Sequence, residues 1–346
     1  MRTPDLRSGT LENLQTARAL AALVVVGYHI GVLPFGECGV DVFFVISGFI
    51  MSHVAPREGN DFLRKRLIRI IPLYWLSTVG VYAIAIVRPW WLNTTTAHVS
   101  YLAKSLLFIP YIKDNGHWGP LNLNGWTLEY EMLFYLVVAS ALVLVKARYA
   151  TIVAASVLAT FCVLAGNVGS SVPTISYLGR PLLLEFGFGV VCYWIVDAGA
   201  LVGLERSILA CLAVTAAAAM PFYFYAQGVP DEFGRVWAYG LPSFLLIASI
   251  IALEEKGWSS NSALLRKLGA ASYSIYLLHP YVIGISKKVL RAEPDLHSWS
   301  GVGIVVAIVA VVCVFGHGVH LYIEKPMLAR LNRCLTRSKT HPLTTI

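Results

Sequence analysis

The chain has 346 residues, of which 57% are hydrophobic and 13% charged, and a net charge of +8. A typical soluble domain carries about a quarter charged residues, so this composition excludes an ordinary soluble fold. The apolar residues come in blocks of about 17 to 23, the length a helix rising about 1.5 Å per residue needs to cross about 30 Å of hydrocarbon.

In chain order the blocks predict an all-α, polytopic bundle of about ten transmembrane helices, near 14–34, 39–55, 70–87, 126–145, 150–167, 181–197, 207–226, 236–253, 270–286 and 301–322. The weaker stretch 98–112 contains His98, Lys104 and Pro110 and predicts a helix lying in the headgroup plane. Ten spans place both termini on one side. Of the 27 Lys and Arg, 18 then fall on the N-terminal side and 8 on the other, with Arg18 inside the first span. Basic residues beside spans are retained in the cytoplasm, so both termini are expected there, in a bacterial inner membrane. The chain thus divides into a cytoplasmic segment 1–13, a membrane domain 14–325 and a basic tail 326–346 that ends in disorder.

The positive charge fits anchoring to anionic lipid better than nucleic-acid binding. The first span is followed at once by a second and holds Arg18 and His29, which argues against a cleaved leader. Six cysteines, scattered and without CxxC spacing, suggest neither a disulfide framework nor a metal site.

Ionisable residues inside spans are costly and mark candidate sites. In the first span Arg18 and His29 are eleven residues apart, about three helical turns, so they share a face about 16 Å apart along the axis. Arg18 suits an anion and His29 a general base; a snorkelling Arg and a packed His are the structural alternative. Asp41, opening the second span, sits one short loop from His29 and is expected to orient the imidazole. Ser47 and Gly48 allow close helix approach. In FLRKRLIRIIPLYW, Arg66 and Arg69 share a helix face and suit phosphate oxygens, or else anchor the helix at the inner leaflet. The fourth span begins WTLEYEM. Glu131 shares a face with Tyr135 and is expected to turn inward, whereas Glu129 suits a helix N-terminus. Further candidates are Trp126, Tyr276 and His279, with His317, His320 and Glu324 on one stripe of the last span. His-x-x-His alone is too weak a pattern to predict a metal.

The spaced pair Arg18 and His29, GVDVFFVISGF (39–49), FLRKRLIRIIPLYW (62–75), WTLEYEMLFY (126–135), SYSIYLLH (272–279) and YIEKP (322–326) together resemble the integral membrane acyltransferase-3 family, in particular its exopolysaccharide-modifying branch. The resemblance covers nearly the whole chain in the family's order. It implies an O-acyltransferase that takes an acyl group, by default acetyl, from cytoplasmic acetyl-CoA to a hydroxyl of an extracytoplasmic glycan or glycolipid, with no permanently bound cofactor and no metal. It assigns the catalytic base to His29, with Asp41 and Glu131 in the catalytic set, and the donor site to Arg18, Arg66 and Arg69. Other expected partners are membrane lipids and polysaccharide-assembly machinery. The competing readings are a transporter or flippase that uses the intramembrane charges, and a structural subunit of an export complex.

Overall fold

The computed structural model describes residues 11–92, 96–168, 172–290, 294 and 296–339. Arg2, Arg7, Arg291 and the last seven residues of the expected tail lie outside them. Among the described residues the chain is helical, and its nearest approach to a sheet is one bridge, between Ile112 and Trp118. The long helices are α1 (Glu12–Ile30), α2 (Cys38–Glu58), α3 (Phe62–Val87), α5 (Trp126–Leu144), α6 (Ala150–Val168), α8 (Leu183–Asp197), α9 (Arg206–Gln227), α11 (Leu241–Glu255), α13 (Ser272–Leu290) and α14 (Trp299–Val319). Between and after them come α4 (Val99–Leu106), α7 (Pro173–Leu178), α10 (Glu232–Arg235), α12 (Ala263–Ala270) and α15 (Lys325–Lys339).

Among the described residues seven segments are long and apolar enough to cross a membrane, or eight when α12 and α13, bent by 76° at their junction, count as one span. The difference from the expected ten has two physical sources. Helix α1 is diluted by Glu12, Asn13, Gln15, Arg18 and His29, which lower its hydropathy. Helices α2 and α3 run together in one stretch of 50 residues, Cys38–Val87, because only the three-residue turn Gly59–Asp61 divides them. The outer faces agree with a lipid surround: Val143, Val214, Val289 and Val314 are each more than two thirds exposed, which water would penalise by about 25 cal/mol per Å². The protein is therefore a multi-pass membrane protein.

Helix α2 runs through the middle, packed against α1, α5, α6, α8 and α11. Phe44, Val45, Ile46, Phe49 and Met51 are buried all round it, as expected of a helix without a polar face. Its closest neighbour is α8. A Cβ on Gly48 would lie 2.1 Å from the Phe186 carbonyl oxygen, and one on Gly189 2.1 Å from that of Val45. The expected close approach at Gly48 is thus met by a glycine on each side. Gly48→Ala should therefore destabilise the protein by about 1–3 kcal/mol, the usual cost of overpacking. Gly80→Ala, in open space on α3, should be neutral or better; thermal unfolding in detergent checks both.

The expected headgroup-plane stretch 98–112 forms only the eight-residue α4, followed by irregular chain. It docks on α3, where Tyr74 Oη donates to the Ser105 carbonyl (3.0 Å) and Trp75 Nε1 to that of Leu106 (2.9 Å). Two π-helical turns, Val236–Gly240 and His320–Glu324, interrupt the later helices. Such turns re-aim side chains and are frequent at functional sites. The first follows Arg235; the second carries Glu324 into the interior.

Candidate active site

Helices α1 and α13 lie side by side and run in the same direction, with Arg18 and Ser272 meeting at one end and His29 and His279 at the other. On α13, Ser272, Tyr276 and His279 sit at i, i+4 and i+7, one stripe of the helix. Arg18 Nη2 donates to Ser272 Oγ at 2.9 Å. Eleven residues on, His29 Nδ1 lies 3.1 Å from His279 Nε2 and 3.0 Å from the Val25 carbonyl. The shared face expected for Arg18 and His29 is the face turned to α13.

The Arg18 end opens into a cavity of about 120 Å³. Its polar lining includes Arg18, Arg66, Arg69, Ser47, Glu131 and Tyr135, and Tyr276 lines it as well. Glu131 Oε1 accepts from Tyr135 Oη and, at 3.4 Å, from Ser47 Oγ, so Glu131 does turn inward. Arg66 is committed: its Nη2 donates to both carboxylate oxygens of Glu58, at 2.8 and 2.9 Å. Arg69 is exposed and, among the described residues, makes no hydrogen bond or ion pair. Among the described residues, the cavity thus holds one guanidinium without a partner, one held by a serine, and one paired with a glutamate.

From the cavity Tyr276 leads to the histidines: its ring is 5.8 Å from Phe43 and 6.0 Å from His279. His279 is 1% exposed, and His29 is half-buried. A carbonyl oxygen only accepts, which favours a proton on His29 Nδ1, facing Val25, and on His279 Nδ1, 3.2 Å from the Ile275 carbonyl. His279 Nε2 is then an acceptor for His29 Nδ1–H, and the lone pair of His29 is on Nε2, free to take a proton.

Contrary to the expectation from the sequence, Asp41 does not touch His29. It is fully buried and grips Arg235, whose Nε and Nη2 reach its two oxygens at 2.9 and 2.7 Å, while Nη1 pairs with Glu37 at 3.0 Å. A guanidinium fork matches a carboxylate better than an imidazole edge does, and Arg235 arrives at the end of α10 to supply it. The orienting partner of His29 is His279 instead. Glu324, 4% exposed, also lies outside the cavity. It accepts from Ser274 Oγ at 2.6 Å and contacts His320 Nδ1 at 2.9 Å. Trp126 packs edge-on against Tyr130. Glu129 is buried at the start of α5, away from the cavity. Residues that the sequence did not single out are Arg235, Ser272 and Asn124, whose partners are distant in the chain.

A helical bundle with arginines, a carboxylate and paired imidazoles along one interior seam defines an integral membrane protein with a buried polar site. Residues 11–317 match the acyltransferase domain family Acyl_transf_3, and the chain belongs to that family of acyltransferases. It is similar to the exopolysaccharide production protein ExoZ of Rhizobium meliloti (strain 1021), 31% identical over 319 residues that cover 88% of this chain and 92% of the relative. It is also similar to the putative membrane-bound transacylase BcsY of Komagataeibacter xylinus, 29% identical over 76% of this chain and 70% of the relative. A third relative is the putative peptidoglycan O-acetyltransferase YrhL of Bacillus subtilis (strain 168), 26% identical over 94% of this chain and 56% of the relative. No solved structure matches the chain.

Proposed function

We propose that the protein is an O-acetyltransferase that crosses a bacterial plasma membrane ten times, with the Arg18 end of its seam at the cytoplasm and the His29 end toward the outside. It moves acetyl from acetyl-CoA to a hydroxyl of an extracytoplasmic glycan or glycolipid. The observation that carries this reading is the seam itself, with guanidinium groups at one end of α1 and a base at the other. The names of the relatives, which concern exopolysaccharide production and peptidoglycan O-acetylation, support the acceptor class.

In this scheme Arg69, Arg18 and Arg66 take the phosphates of the donor, and Glu131 with Tyr135 holds the guanidinium groups apart. The acyl-bearing arm enters along Tyr276. His29 Nε2 removes the acceptor proton, the alkoxide oxygen attacks the thioester carbon, and the tetrahedral oxyanion collapses as the C–S bond breaks and CoA leaves as thiolate. His279 accepts from His29 Nδ1–H and so stabilises the imidazolium that forms. Asp41 and Arg235 hold α2 to α10.

Transfer of labelled acetyl from acetyl-CoA to surface glycan by purified protein tests the reading. Label on the glycan is expected, whereas a transporter moves its cargo and leaves acetyl-CoA intact. The arginines should separate in the same assay. Charge-assisted hydrogen bonds are worth about 1.5–3 kcal/mol, so Arg69→Ala should raise the KM for acetyl-CoA by about 10- to 100-fold. Arg66→Ala should raise it less, because Glu58 already occupies that guanidinium. Equal effects of the two would contradict the division of roles.

A further inference from the structure

Proline inside a helix removes one hydrogen bond: lacking N–H, it leaves the carbonyl four residues earlier without its intrahelical partner. In α13 that proline is Pro280 and the freed carbonyl is that of Tyr276. A buried orphan carbonyl costs about 1–3 kcal/mol, so a donor is expected there. The donor is Asn124, in the short turn before α5, whose Nδ2 reaches the Tyr276 oxygen at 2.5 Å. The same amide nitrogen lies 3.4 Å from His279 Nδ1, and Asn124 is 2% exposed.

The turn is tied to α13 on the other side of Pro280 as well. Tyr281 Oη accepts from the Leu123 N–H at 3.0 Å and donates to Asn122 Oδ1 at 3.3 Å. Asn122 Nδ2 in turn donates to Ser77 Oγ of α3 at 2.8 Å. The turn therefore straddles the proline, holding the residue four before it and the residue just after it. Between those two ties sits His279, whose Nε2 faces His29 at 3.1 Å.

From this we infer that Asn124 is a positioning residue for the histidine pair: by occupying the carbonyl that Pro280 frees, it fixes the broken stretch of α13 so that His279 presents Nε2 to His29. The inference rests on the acyltransferase reading for its kinetic consequence, but not for its geometry. Asn124 does not line the cavity and bonds none of the arginines; it meets only the backbone of Tyr276 and the hydroxyl of Thr127 among the lining residues, so its loss should act mainly on the chemical step rather than on donor binding.

The test uses the full-length protein in detergent, as wild type, Asn124→Ala and Asn124→Asp. The aspartate keeps the shape but turns acceptors toward a carbonyl, and it provides a second variant if the alanine folds poorly. Misplacing a catalytic group by about 1 Å can cost about 100-fold. Per folded molecule, kcat should fall by about 10- to 100-fold, with the KM for acetyl-CoA within about twofold of wild type. The arm independent of activity is carbethoxylation of histidines by diethyl pyrocarbonate, followed by mass spectrometry. His279 should label at least about fivefold faster in the variants, because water must enter to solvate the Tyr276 carbonyl, while exposed His98 and His117 label as before. Unchanged labelling of His279, or a lower folded yield with kcat per folded molecule intact, overturns the inference. Faster labelling in variants of a protein whose wild type transfers no acetyl keeps the positioning role and removes the acyltransferase reading instead.

Discussion

His29→Ala should lower kcat for acetyl transfer by about 10²–10⁴-fold, the usual contribution of a general base, while the KM for acetyl-CoA stays close to that of wild type. The separation follows from distance: in the proposed scheme the donor is held at the Arg18 end of α1, about 16 Å away along the axis. Nothing in the fold should suffer, because His29 is half-buried and its hydrogen bonds go to its own helix and to His279. His29→Gln, which keeps a polar group but no base, should be equally inactive. His279→Ala should cost less than His29→Ala, since His279 acts on the acceptor only through its neighbour. Initial rates over a range of acetyl-CoA concentrations separate these effects, and a His29 variant retaining more than a tenth of wild-type kcat would exclude it as the base.

Arg235→Ala should produce the largest loss of stability. Asp41 is completely buried and receives two hydrogen bonds from Arg235. Removing one partner of a buried pair leaves the other charge uncompensated, at about 3–5 kcal/mol. The neighbouring carboxylates make the loss worse: Glu37 also pairs with Arg235, and Glu185 is fully buried nearby on α8. Asp41→Asn/Arg235→Met, which removes both charges, should be markedly more stable than either single change. Thermal unfolding of the solubilised protein checks this. If Arg235→Ala unfolds like wild type, the pair does not hold α2 to α10.

The fold was legible where a block of apolar sequence ended in a polar break. The span expected at 126–145 is α5 (Trp126–Leu144), and that at 150–167 is α6 (Ala150–Val168). It was less so at α1, where the polar residues that make the site also dilute the hydropathy that marks a span. Within the site, local periodicity sufficed for Arg18 with His29 and for Glu131 with Tyr135, because a helix fixes which residues share a face. It failed for Asp41. Proximity along the chain suggested His29, but the partner is 194 residues away, and nothing in the local pattern around Arg235 points to it. The pairing of His29 with His279 spans 250 residues, and Asn124 matters only through a carbonyl that Pro280 leaves open. Such contacts belong to tertiary packing, which single-residue spacing does not encode.

If donor and acceptor meet along one seam from opposite faces of the membrane, sided proteoliposomes should show it. Protein is reconstituted in a single orientation, with labelled acetyl-CoA supplied only on the face of Arg69 and the glycan acceptor only on the face of His29. Label is expected on the glycan under these conditions, and none when donor and acceptor are both confined to the His29 face. Transfer that requires both substrates on one face would contradict it.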